Sequence, residues 1–241
     1  MIIDKNSPLP IYSQIEEYIK ERIEKGELKP GDVLPPEREY AEQFDVSRMT
    51  IRQAINNLVN EGLIYRKKGS GTFIAEKKFE QPLQGLTSFT EDMKGRGLTP
   101  SSKLLSFELI PASANIAAVL HISEYTPVYE IKRIRMADNT PMALETCYIS
   151  ANLIKGLTEE IINQSLYQYI EEKLQLEIGE ATQVIESALA NDLEVELLKI
   201  NEGDPILLIE RCTYLKNGTP FEIVRSSYRA DRYKFTSKLK R

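Results

Sequence analysis

Residues 46–62 read VSRMTIRQAINNLVNEG, and this stretch decides the fold of the first third of the chain. Ile51, Ile55, Leu58 and Val59 recur at helical spacing and predict one apolar face. Ser47 stands where an N-cap belongs, and Gly62 where the helix should stop. Off the stripe lie Arg48, Met49, Thr50, Arg52 and Gln53, a polar surface on an otherwise core-bound helix. Asp45-Val46 makes a short break, and before it EREYAEQF turns Tyr40, Ala41 and Phe44 inward as a second helix. Further upstream, IYSQIEEYIKERIEK (residues 11–25) aligns Ile11, Ile15, Tyr18, Ile19 and Ile23 as a first helix, with Gly26 as its stop. Downstream, LIYRKKGSGTFIA predicts two short strands around a basic, Gly-rich turn. Helix, helix, short turn, helix and hairpin describe a winged helix-turn-helix domain over residues 1–75.

Such a domain offers the N-terminal residues of its third helix to base edges. An Arg can bridge guanine O6 and N7 with two hydrogen bonds. Ser47, Thr50 and Arg52 suit phosphate contacts that fix register. Arg66-Lys67-Lys68-Gly69-Ser70-Gly71 pairs positive charge with a small tip able to approach a minor groove. The chain as a whole carries 31 Lys and Arg against 36 Asp and Glu, a net charge of -5 that taken alone discourages a nucleic-acid partner. Split by segment it does not. Residues 46–75 hold five basic groups against Glu61, a local +4, whereas residues 1–45 hold 6 basic and 11 acidic groups. The positive charge is confined to the surface that would face DNA.

At 241 residues and 41% hydrophobic content, the chain is long enough for a second domain with its own core. Residues 76–85, EKKFEQPLQG, are polar with one Pro and one Gly and predict a linker, leaving residues 86–241 as the second domain. Within it the sequence repeats at an offset of 78. Ala117-x-x-Leu120-x-Ile122 with Pro127 matches Val195-x-x-Leu198-x-Ile200 with Pro205, and the register runs on through Ile131/Ile209 and Arg133/Arg211. One residue slips at the turn, after which Pro141 answers Pro220. Each copy reads as strand, helix and hairpin, turning at Ala137-Asp138-Asn139-Thr140 and at Lys216-Asn217-Gly218-Thr219. Two such units predict one largely antiparallel sheet with helices on one face and a cleft between its halves, giving an α+β chain.

Several function classes lose their raw material. His121 is the one imidazole, and Cys147 and Cys212 lack metal-ligand spacing and lie in strand-like runs as buried thiols. No stretch reaches 18 uninterrupted apolar residues, and the start MIIDKNSPLP has no leader pattern, so a cytoplasmic chain without membrane contact is expected. No cofactor or metal is expected.

In the second domain Arg133 and Arg135 leave the same strand face, and Arg suits phosphate or carboxylate. Glu145, Glu222 and Tyr228 fall on returning strands and could read hydroxyl or amino groups. Ser165-Leu166-Tyr167 opens a helical run where N–H groups and a hydroxyl could meet an anion. The pattern describes a phosphosugar site, while paired Arg and Glu on adjacent strands equally describe cross-strand ion pairs.

The first domain also resembles a family. Pro8-Leu9-Pro10-Ile11-Tyr12, Leu28-Lys29-Pro30-Gly31, Leu34-Pro35-Pro36-Glu37-Arg38, Val46-Ser47-Arg48-Met49-Thr50-Ile51-Arg52-Gln53-Ala54 and Gly69-Ser70-Gly71-Thr72-Phe73 together look like the GntR family of bacterial transcription regulators. That resemblance implies base contacts from Arg38 and Arg48, and further DNA contacts from Thr50, Arg52 and Gly69. Ser47, Met49, Gln53, Lys67 and Lys68 complete the DNA-binding set expected from helix and wing. Pro36 replaces the usual Ser or Thr cap, and Asp45 a common turn Gly.

Residues 86–241 resemble the effector-binding (UTRA) domain of the HutC subfamily, a chorismate-lyase-like fold. The resemblance rests on Arg133-x-Arg135, Pro141-x-x-x-Glu145, Ser165-x-Tyr167 and Tyr228-Arg229-x-Asp231-x-Tyr233. The stretch Leu83-Gln84-Gly85-Leu86-Thr87-Ser88-Phe89-Thr90-Glu91-Asp92-Met93-Lys94 is similar to repressors of N-acetylglucosamine utilisation. The resemblance implies an effector of the amino-sugar 6-phosphate type, glucosamine-6-phosphate or N-acetylglucosamine-6-phosphate. Ser88, Phe89, Thr90, Arg133, Arg135, Ser165 and Tyr167 would hold the phosphate, and Glu145, Glu222 and Tyr228 would read the sugar. It further implies a homodimeric repressor on a palindromic double-stranded DNA operator. The alternatives are another anionic metabolite as effector, or a lyase-like enzyme, for which no activated nucleophile is visible.

Overall fold

The computed structural model describes residues 3–5, 7–67, 69–76, 78–83 and 85–239; Lys68, expected in the DNA-contacting wing, and Gln84 lie outside the described residues. The chain divides into two compact units, Met1–Lys78 and Phe79–Arg241.

In the first unit, α1 (Ile11–Glu24), α2 (Glu37–Phe44) and α3 (Arg48–Asn60) pack around Ile15, Ile19, Tyr40, Phe44, Ile51, Ile55 and Leu58. Those are the positions at which apolar residues recur with helical spacing, so the periodicity and the core agree. Strand β1 (Val33–Leu34) pairs with β3 (Gly71–Ile74), which pairs with β2 (Ile64–Lys67) to form the wing. Ile64 and Ile74 anchor that hairpin in the same core. Helix α2 starts directly after Pro36, which makes no side-chain cap, and ends on Asp45 in the left-handed region at φ 50 and ψ 53. Both departures from the family pattern are thus accommodated: Pro already has a helix-compatible φ, and Asp enters left-handed space more readily than most residues.

The second unit is built on a six-stranded antiparallel sheet ordered β5-β6-β7-β10-β9-β8. Its strands are β5 (Pro100–Pro111), β6 (Pro127–Ala137), β7 (Thr140–Ser150), β8 (Ile178–Leu189), β9 (Pro205–Leu215) and β10 (Pro220–Arg229). The order is a palindrome of the two repeats, each contributing an outer strand, a helix and a hairpin. Helix α5 (Ala114–Leu120) follows β5, and α8 (Asp192–Leu198) follows β8. The β6–β7 turn carries Asp138 and Asn139 at φ 46 and 63, as a tight hairpin turn of two left-handed residues requires.

Helices cover both faces of this sheet, where the repeat alone predicted one. Helix α5 packs with Val128 and Ile223, and Glu194 of α8 accepts a hydrogen bond from Ser227 on that same face. The opposite face, carrying Ile131, Cys147 and Ile149, is covered by α6 (Glu159–Asn163), α7 (Leu166–Gln168) and the π-helical turn Tyr169–Lys173 that continues it. These helices come from the segment between the two repeats, where the sequence marks only the helical run that opens at Ser165. Part of the expected linker is also ordered strand: β4 (Phe79–Pro82) pairs in parallel with β11 (Tyr233–Thr236). The remaining helix, α4 (Phe89–Gly95), buries Phe89 and Met93 against Ala137, Met142 and Tyr233. No helix among the described residues is long and apolar enough to cross a membrane.

Candidate functional site

The first unit exposes the residues expected to meet DNA. Ser47 caps α3, its hydroxyl accepting from the Thr50 N–H at 3.1 Å and lying 2.9 Å from the Thr50 hydroxyl. The cap fixes where the helix begins and therefore which side chains crown it. Arg48, Met49, Arg52 and Gln53 are all exposed, with Met49 67% accessible. Among the described residues Arg48 has no side-chain partner, so its guanidinium is free to bridge a base edge. Gln53 donates to Asn57 at 2.9 Å, and Arg38 forms an exposed pair with Glu42 at 2.8 Å. Lys67 ends β2, and Gly69 turns the wing tip at φ +75, a conformation that strains any residue with a Cβ.

Glu37 was not singled out by the sequence, yet it organises this face. One carboxylate oxygen takes Arg52 of α3 and the other takes Arg66 of the wing, each at 3.1 Å. The three groups are partly exposed, so the pairs add little to stability. Their consequence is positional, since the two cations are held at a fixed spacing between recognition helix and wing.

The second unit gathers its expected residues on and over one face of the six-stranded sheet, in four environments. The first is a cavity of about 310 Å³ lined by Arg135, Thr90, Ser165, Lys94 and Ser102. Arg135 is 4% exposed, donates to the Thr90 hydroxyl at 3.3 Å and lies over the Phe89 ring at 4.5 Å. Its Nε is buried without a partner. Burial and, after it, the charge of Arg133 lower its pKa to about 10, so it stays charged at neutral pH. Ser88 and Ser165 both serve as N-caps, accepting from the N–H groups of Glu91 and Gln168.

The second environment is a buried ion pair. Arg133 Nε meets Glu145 Oε1 at 2.6 Å across the β6–β7 ladder, and Arg133 Nη1 donates to the Ile162 carbonyl at 2.9 Å. Burial alone would raise the Glu145 carboxyl, but Arg133 and Arg135 outweigh it and hold it below its ordinary value.

The third is a buried cluster on Glu222. Tyr167 donates to Glu222 at 3.0 Å, Thr213 at 3.2 Å and the Cys147 thiol at 3.2 Å. Burial and the Glu222 charge push both the tyrosine hydroxyl and the thiol well above their ordinary values, which keeps them as donors. Tyr167, expected beside the phosphate, therefore points instead at Glu222, and both expected sugar-reading carboxylates have internal partners. Tyr228 lines another cavity, with its hydroxyl pushed up to about 12 by burial and by Glu145.

Arg211 lines that second cavity and was missing from the expected site. The signal was present, since the repeat already aligns it with Arg133. Lys94 also stood in the quoted α4 stretch but carried no assigned role. Among the described residues no group of His, Cys, Asp and Glu is arranged to hold a metal ion.

Comparison with known proteins gives these two arrangements a lineage. Residues 11–74 match the family described as bacterial regulatory proteins, gntR family, and residues 95–234 match the UTRA domain. The chain is 51% identical to the HTH-type transcriptional repressor NagR of Bacillus subtilis (strain 168), over 98% of this chain and 97% of that protein. It is 37% identical to the mannosyl-D-glycerate transport/metabolism system repressor MngR of Escherichia coli (strain K12), over 94% of this chain and 95% of that one. The crystal structure of PhnF from Mycobacterium smegmatis superposes with a TM-score of 0.67 at 31% identity, covering 95% of this chain and 98% of that one. The domains are those of a regulator and not of an enzyme, which removes the lyase alternative. With both its helix-turn-helix and its UTRA domain matched, the chain belongs to the GntR family of bacterial transcription regulators.

Proposed function

We propose that the protein is a cytoplasmic repressor that binds a palindromic operator as a homodimer and is released by an amino-sugar 6-phosphate. Control of amino-sugar uptake and catabolism follows from that choice of effector. The repressor sense is supported by the likeness to NagR and MngR, both named as repressors. The observation that carries the effector reading is Arg135, buried, charged and with an unpartnered Nε, in a cavity with Thr90, Ser165 and Lys94. A phosphate there would meet a guanidinium, an ammonium and two hydroxyls, the donor set that charge-assisted recognition of an oxyanion uses. A different anionic metabolite in the same cavity is the second reading. It is favoured by Glu145 and Glu222 already holding Arg133 and Tyr167.

Operator titrations at fixed salt test the proposal. Saturating glucosamine-6-phosphate or N-acetylglucosamine-6-phosphate should weaken operator binding, and operator should weaken sugar-phosphate binding by the same factor. Unchanged operator affinity with either compound would reject it. On the DNA side, Arg48→Ala should cost about 1–3 kcal/mol and relax base preference at one position in each half-site. An equal loss on all sequences would make Arg48 a phosphate contact.

A further inference from the structure

The two halves of the sheet are copies, and they differ in one informative place. In the first copy Arg133 on β6 faces Glu145 on β7. In the second copy Arg211 on β9 is the counterpart of Arg133, and the residue facing it on β10 is Val224. Once the one-residue slip at the turn is included, Val224 is the counterpart of Glu145. The carboxylate that neutralises the first arginine is therefore missing opposite the second. Among the described residues the Arg211 side chain makes no hydrogen bond or ion pair; its Nε is buried without a partner, while the residue as a whole is half-buried. A buried donor left unsatisfied costs on the order of 1–3 kcal/mol, more when charged, so a cation kept this way calls for a partner from outside the fold.

The space for one is present. Arg211 lines a cavity of about 380 Å³, within the size range of small-molecule sites. Gln183 sits beside it on β8, Ser226 and Tyr228 add hydroxyls from β10, and Ile209 and Leu86 supply apolar wall. Asp92 also lines the cavity and accepts from the Thr87 hydroxyl at 2.6 Å, leaving an acceptor for a hydroxyl or amine on the ligand. Burial works against the charge on Arg211, yet the Glu222 carboxylate nearby helps to hold it above its ordinary value, so it stays protonated.

We propose that this cavity is a second anion site, taking a compact, hydroxylated molecule whose carboxylate or phosphate head binds Arg211. Its cation is a different one from Arg135, although Phe89, which lies against Arg135, and Tyr228 of the expected sugar site also line it. The sheet then presents one anion site per repeat: the first is served by Arg135 because Arg133 is committed to Glu145, and the second by Arg211 because Val224 leaves it uncommitted.

The test follows the Arg211 Nε–H resonance in the full-length 15N-labelled protein during titration with glycerol 3-phosphate and, separately, lactate. A saturable shift with half-saturation in the millimolar range or below is expected for at least one, and the stronger probe identifies the head group. Val224→Glu restores in the second copy the pair seen in the first. It should keep or raise Tm while weakening the titration about tenfold or more. Arg135→Gln should leave the titration intact. No saturable shift with either probe, an undiminished shift in Val224→Glu, or loss of the shift in Arg135→Gln would overturn the second site. The last result would merge it with the Arg135 cavity and leave the effector proposal standing.

Discussion

Glu145→Ala should destabilise the second unit by about 3–5 kcal/mol, because it leaves a buried guanidinium without its counter-charge. Arg133 is 6% exposed and Glu145 4%, so water cannot take the place of the lost carboxylate. For a domain of this size the loss corresponds to roughly 6–20 °C in Tm, readable by calorimetry. The Ile162 carbonyl keeps Nη1 satisfied, so the penalty is one of charge and not of a fully stranded group. Two controls separate these causes. Glu145→Gln keeps an acceptor and should lose less, and the double change Arg133→Met with Glu145→Leu should recover most of the stability, since a well-packed apolar pair can replace a buried ion pair. A Glu145→Ala protein within about 1 kcal/mol of the parent would mean that Arg133 finds another carboxylate, with Glu222 the candidate.

The same pair sets an acid limit. The Glu145 carboxyl is held below its ordinary value of 4.5, so its contribution is complete above that value and is lost as pH falls through the lower folded-state value. The stability gap between the parent and Glu145→Gln should be constant above that value and close as pH falls, with the variant less sensitive to acid.

What could be read from the chain, and what could not, divides along a physical line. Helix α3 was legible because cap, stripe and stop all lie within fifteen residues of one another, and each acts locally. The hairpins were legible because Asp138-Asn139 and Asn217-Gly218 specify their own turns. The repeat was legible because Pro127 and Pro205 begin equivalent strands. The pairing of Phe79–Pro82 with Tyr233–Thr236 was not, since nothing in a polar tetrapeptide announces a strand whose partner is some 150 residues away. The site was half legible. Residue types and strand faces placed Arg133, Arg135, Glu145 and Glu222 on one surface, but the choice of partner is made by register and by what closes over the sheet. Glu145 faces Arg133 directly, so the cross-strand ion pair that the pattern also allowed is the one formed. Glu222 is claimed by Tyr167 because α7 folds over β10. The slip at the turn makes Val224 the counterpart of Glu145, but that it faces Arg211 is set by the register of the β9–β10 ladder.

Arg135→Ala should leave operator binding intact and abolish release by sugar phosphate. Arg135 is the expected phosphate-binding cation that no carboxylate already neutralises: Arg133 has Glu145, while the Ser165 hydroxyl, which accepts from the Gln168 N–H, still has its own O–H to donate. The ties of Arg135 are a 3.3 Å contact to Thr90 and the face of Phe89, both compatible with an oxyanion arriving at the guanidinium. The electrostatics point the same way. Arg135 lies buried beside a like-charged Arg133, which is why its pKa falls to about 10, and an anion in the cavity would relieve that repulsion. Bound phosphate should therefore raise the Arg135 pKa, and removal of Arg135 should raise rather than lower the stability of the empty protein, or leave it unchanged. A variant that loses effector binding while holding or gaining Tm would separate a ligand-binding arginine from a structural one, since a structural arginine would lose both. Two measurements on the same preparation decide it: calorimetric titration with N-acetylglucosamine-6-phosphate, and operator affinity with and without that compound. Normal release by Arg135→Ala would remove the residue from the site. Loss of operator binding in the absence of any sugar phosphate would instead make it part of the fold's support for the DNA-binding state.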